Sequence, residues 1–106
     1  MAHWIRVGLL TDIPPLGARV VATPEGPVAV FRAGDDHLFA LQDTCPHKQG
    51  PLSEGIVHGH QVTCPLHNWV IDLETGEAVA PDHGRTGCVA VKLEDGLVWL
   101  QKDEAL

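Results

Sequence analysis

Two short clusters, Cys45-Pro46-His47 and Cys64-Pro65-Leu66-His67, carry the side chains of this sequence best suited to chemistry. Sixteen residues lie between them. Two thiolates and two imidazoles make a four-ligand set that suits zinc or an iron–sulfur centre and leaves aside the hard cations that require oxygen. Spacing bears on the choice. A structural zinc site usually sets paired ligands two to four residues apart, so that one knuckle wraps one tetrahedral ion. Cys45 and His47 have a single residue between them, which fits ligands serving two irons better than ligands closing on one ion. In a [2Fe-2S] centre of mixed ligation both Cys hold one iron and both His the other, so each cluster contributes one ligand of each kind. Neutral imidazoles also leave such a centre less negative than four thiolates would, and it accepts an electron more readily: about −150 to +300 mV, against about −400 mV for a plant-type four-Cys cluster.

The elements that must position these ligands read as strands. Short β-rich apolar runs occur at 4–7, 20–23, 28–32, 38–41, 70–73, 89–93 and 97–100, and no helical face persists over ten residues. Turn chemistry separates them, at Pro24-Glu25-Gly26, Ala33-Gly34-Asp35-Asp36, His58-Gly59-His60, Glu74-Thr75-Gly76 and Asp95-Gly96. The last hairpin is the clearest, with Val89, Val91 and Leu93 expected to be answered by Leu97 and Trp99. An all-β domain follows, a sandwich or small incomplete barrel. Between residues 42 and 59 the pattern gives way to loop chemistry with at most one short helical turn, and a loop that long needs a purpose. The first ligand pair sits where it begins, and the second follows a short strand expected at 61–63. Prolines after each Cys stiffen the loops, and Gly50, Gly55 and Gly59 are expected to let backbone N–H groups approach the sulfurs.

Length and charge remove several classes of function. At 106 residues the chain is expected to form one domain, 1–106. Seven Lys+Arg against fourteen Asp+Glu give a net charge of −7, which disfavours nucleic acid and anionic lipid surfaces. Residues 1–10 do not read as a signal peptide and no run of about 18 apolar residues occurs, so a cytoplasmic location without membrane partners is expected. Three cysteines make an odd count, which suits a metal role better than a disulfide framework. Cys88, at the start of an apolar strand, reads as a buried small hydrophobe outside the site. His58 and His60 read as solvated turn residues, and His3, His37 and His83 carry no supporting pattern. The acidic residues Asp35, Asp36, Asp43, Glu74, Glu77, Asp82, Asp95, Asp103 and Glu104 are scattered and read as a solvated surface. No nucleophile, phosphate loop or acid/base dyad occurs, so no catalytic site of the chain's own is expected.

The pattern C-P-H-x16-C-P-L-H resembles the Rieske motif, and the resemblance covers nearly the whole chain. It implies a Rieske [2Fe-2S] cluster held by Cys45, His47, Cys64 and His67, in two loops at one end of a three-layered antiparallel β fold. Rieske proteins of high potential carry a disulfide bracing these loops; neither loop here has a second cysteine, so the lower part of the range is expected. Ferredoxins that serve ring-hydroxylating oxygenases usually have Gly directly after the last ligand. This chain reads His67-Asn68-Trp69, which, with His47-Lys48-Gln49-Gly50-Pro51-Leu52-Ser53-Glu54-Gly55, resembles the small subunit of assimilatory NAD(P)H-dependent nitrite reductase. That resemblance implies a large partner subunit with FAD, a [4Fe-4S] cluster and siroheme, reducing nitrite to ammonium. The alternative is a freestanding ferredoxin between a ferredoxin reductase and an oxygenase. Pro46, Pro51, Leu52, Pro65, Leu66 and Trp69 would form an apolar tip suited to docking or to shielding the cluster.

Overall fold

The computed structural model describes residues 2–23, 26–45, 50–65, 68–80 and 83–103. Among the described residues, ten strands make three antiparallel sheets, which do not close into a barrel, and no α-helix occurs. They are β1 (Ala2–Leu9), β2 (Gly17–Thr23), β3 (Gly26–Arg32), β4 (Leu38–Gln42), β5 (Ile56–His58), β6 (Gln61–Thr63), β7 (Val70–Asp72), β8 (Cys88–Val89), β9 (Val91–Glu94) and β10 (Leu97–Asp103). The sheets are ordered β1-β10-β9, β2-β3-β4-β8 and β5-β6-β7.

The middle sheet explains the layering. Four consecutive residues of β3, from Val28 to Phe31, are buried, which requires cover on both faces because successive side chains point to opposite sides. Val28 and Val30 pack with Ala40, Val98 and Leu100 against the β1-β10-β9 sheet. Ala29 and Phe31 pack with Leu41, Val57, Val62, Ile71 and Leu73 against the small β5-β6-β7 sheet. The fold is thus all-β and three-layered, and its smallest sheet, with the loops between strands, forms the subdomain that carries Cys45 and Cys64.

Two local outcomes differ from the sequence reading. Asp95 and Gly96 both take positive φ, 53° and 78°, the signature of a type I′ turn. This two-residue turn sets Leu97 opposite Glu94, so Leu93 faces Val98 and Val91 faces Leu100. Val98 and Leu100, rather than Leu97 and Trp99, therefore enter the core. The second difference is β5, three residues of strand inside the stretch read as loop: Val57 is buried, but flanking Ile56 and His58 are exposed and give it no apolar run. The turn at 24–25 lies outside the described residues.

Candidate metal centre

Cys45 and Cys64 each start a loop beyond a strand. After β4 the chain turns inward, with the Asp43 N–H donating to the Pro27 carbonyl, and Cys45 follows, fully buried. The Cys45 N–H donates to the carbonyl of Gly50 (2.8 Å), closing a loop over 45–50 that contains position 47. After β6, Cys64 is 1 % exposed and its N–H donates to the Trp69 carbonyl (2.7 Å), closing a second loop over 64–69 that contains position 67. Both cysteines belong to one buried cluster with Leu52, Val57, Val62 and Ile71, and Trp69 packs against it. His47 and His67 lie outside the described residues, as do Pro46, Lys48, Gln49 and Leu66.

The rest of the first loop is braced by a residue that no sequence pattern singles out. Asp43 is 8 % exposed, and its two carboxylate oxygens accept from the Ser53 N–H (2.7 Å) and the Ser53 hydroxyl (2.8 Å). This pair fastens the start of the loop to the 3-10 turn Leu52–Glu54, in place of the solvated role expected of Asp43. The only sequence signal is an Asp inside loop chemistry two residues before Cys45. Gly55 is required because a Cβ there would overlap the carbonyl oxygen of Thr63, the residue before Cys64. Its N–H donates to the Leu52 carbonyl, and Gly59 serves a turn with open space around it. The Gly55 N–H is thus engaged within the loop rather than with a sulfur. Of the expected apolar tip, Leu52 is core and Trp69 is half-buried, while Pro51 and Pro65 are exposed.

Cys88 stands apart. It is exposed at the start of β8, opposite Leu41, and not buried as expected, because β8 is a two-residue edge strand. Its sulfur lies against Gly76, and that partial burial pushes the thiol up from its ordinary pKa. Two cysteines from separate loops, enclosed together in an apolar cluster, suit a soft metal centre bound by thiolates, and Cys88 is not part of that cluster.

Comparison with known proteins agrees. The profile of the Rieske [2Fe-2S] domain matches residues 3–92. The chain belongs to the Rieske [2Fe-2S] family. It is 35% identical over 99 residues to the anthranilate 1,2-dioxygenase ferredoxin subunit of Burkholderia cepacia, covering 92% of this chain and 91% of that one. Among solved structures, the complex of reduced oxygenase and oxidized ferredoxin in carbazole 1,9a-dioxygenase contains a chain 32% identical, with TM-score 0.81 and 91% and 99% coverage. A Mycobacterium tuberculosis protein assigned as an NADH-dependent nitrite reductase small subunit has TM-score 0.88 and 99% coverage of both chains at 18% identity, a likeness of fold. The cofactor of this Rieske domain is a [2Fe-2S] cluster, which when bound takes up and releases one electron. The Rieske domain is an electron-transfer protein. No helix among its described residues is long and apolar enough to cross a membrane.

Proposed function

We propose that this chain is a Rieske ferredoxin that passes single electrons from a reductase to a ring-hydroxylating oxygenase, acting as one domain over 1–106 in the cytoplasm. Cys45, His47, Cys64 and His67 hold the cluster, one Cys and one His from each loop. The observation that carries this reading is 35% identity over 91% of a dioxygenase ferredoxin subunit. Asn68 does not argue against it. Its φ is 61°, a left-handed conformation that Gly adopts freely and that Asn tolerates better than most other residues. Gly and Asn thus meet one backbone requirement after the last ligand, and Asn68 loses the weight that sequence alone lends it.

A second reading, the small subunit of an NAD(P)H-dependent nitrite reductase with a siroheme, FAD and [4Fe-4S] partner, is favoured by Trp69 and by the run His47-Lys48-Gln49-Gly50-Pro51-Leu52-Ser53-Glu54-Gly55. One experiment separates the two. The purified holoprotein is mixed with a ferredoxin reductase and a ring-hydroxylating oxygenase, and product formation is followed with and without it. Dependence of turnover on the chain supports the ferredoxin. Absence of turnover, together with co-purification of a siroheme protein from the native host, would replace it with the nitrite reductase subunit.

A further inference from the structure

At the end of β6 opposite Cys64, the turn between β3 and β4 meets the turn between β5 and β6. Asp35 Oδ2 lies 2.8 Å from His60 Nε2 and 3.0 Å from His37 Nδ1. Two imidazoles therefore converge on one carboxylate oxygen, and one ligand-capable atom from each of the three residues lies within 4.8 Å of the others. We propose that Asp35, His37 and His60 form a second metal site, for a divalent ion of the zinc class, distinct from the cluster centre.

Donor chemistry, geometry and surroundings each support it. Imidazole and carboxylate ligands suit Zn²⁺ and its neighbours, and bonds of about 2.0–2.2 Å in a tetrahedron hold ligand atoms roughly 3.3 Å apart. The two separations from Asp35 Oδ2, 2.8 and 3.0 Å, already lie near that spacing. Glu74 supplies an independent indication: its Oε2 lies 3.5 Å from His60 Nδ1, the ring nitrogen turned away from Asp35. A carboxylate behind the distal nitrogen of a ligating His is the outer partner that fixes ring orientation in metal sites. The rings are also placed by packing, with Phe39 4.9 Å from His60 and the His37 and His60 centroids 5.0 Å apart. Two protonated imidazoles so close would repel, whereas one dication satisfies both along with Asp35. With three protein ligands at the surface, water completes the coordination. The ion would join residues 25 apart, pinning the β5–β6 hairpin, and through it Cys64, to the middle sheet.

The sequence offered no sign of this, because the two histidines and the aspartate come together only through the packing of separate turns. The test is calorimetric titration of zinc sulfate into the cluster-loaded protein, passed briefly over a chelating resin and used only when its cluster absorbance is unchanged, so that the cysteines are already engaged. One ion per chain is expected. Binding should fall at least tenfold in Asp35→Asn and His37→Gln, and about 10- to 100-fold in Glu74→Gln, the range for outer-sphere partners. His58→Gln and His83→Gln should bind as the parent does. Zinc should raise the melting temperature of the parent and not of Asp35→Asn. An unchanged cluster spectrum certifies each variant as folded, and His37, whose side chain is 65% exposed, can be replaced with least risk to the fold. No saturable heat, or equal binding by the parent, Asp35→Asn and His37→Gln, would overturn the site and leave these residues a proton-held clamp.

Discussion

Cys45 and Cys64 leave solvent because each begins a loop folded back onto a strand-built core, and a thiolate is kept in such a place only by a positive partner. Serine at either position should therefore abolish the visible colour and the low-average-g paramagnetic signal of the reduced protein, while Cys88→Ser, at an exposed position outside the cluster, should leave both intact. Asn68 offers a finer test. Its left-handed backbone predicts that Asn68→Gly stays within about 1 kcal/mol of the parent. Asn68→Val should cost about 1–2 kcal/mol or more in denaturant titration, because a β-branched residue resists that conformation. Equal stability of both variants would show that the loop does not need the positive φ.

The ligand loops are held as elements by two devices, neither of them covalent. The Asp43 carboxylate on Ser53 fixes the first, and the approach of Gly55 to the Thr63 carbonyl packs the chain after it against the strand that delivers Cys64. Asp43→Ala leaves the Ser53 N–H and hydroxyl without their acceptor and should cost about 2 kcal/mol, with faster loss of cluster absorbance on chelator challenge. Gly55→Ala forces two backbones apart and should cost about 1–3 kcal/mol with the same effect on cluster retention. If Asp43→Ala retains its cluster as long as the parent, the brace is dispensable.

Across the whole molecule, the contact between Asp35 and His60 joins the β3–β4 turn to the cysteine-bearing subdomain and makes that union sensitive to pH. The hydrogen bond from His60, and lesser contributions from His37, hold the Asp35 carboxyl down at about 2 from 3.8, and Asp35, assisted by Glu74, raises His60 above 6.5. A raised His stabilises fully below its unfolded value and loses that contribution as pH climbs through the folded value. A lowered Asp stabilises above 3.8 and loses its contribution as pH falls through about 2. The contact is thus complete between about pH 4 and 6.5 and weakens on both sides. With chelator present, the urea midpoint of the parent should decline above pH 6.5 more than that of Asp35→Asn, by a small amount because the groups are exposed and screened. Parallel profiles would show that the pair contributes nothing.

The sequence by itself determined the kind of cofactor and the class of fold, and it marked the four ligands proposed for that cofactor. Cys45, His47, Cys64 and His67 stand out because ligand type and spacing are local properties of the chain, and strands such as β3 and β10 stand out because alternation and β-branching are local too. Only the tertiary structure decided which face of β10 enters the core, since register depends on the number of residues in the Asp95-Gly96 turn. It alone also exposed Cys88 on a short edge strand, buried Asp43 against Ser53 and drew His37 and His60 onto Asp35. Each of these rests on pairings between residues separated along the chain, and no local pattern encodes which distant turn a side chain will meet.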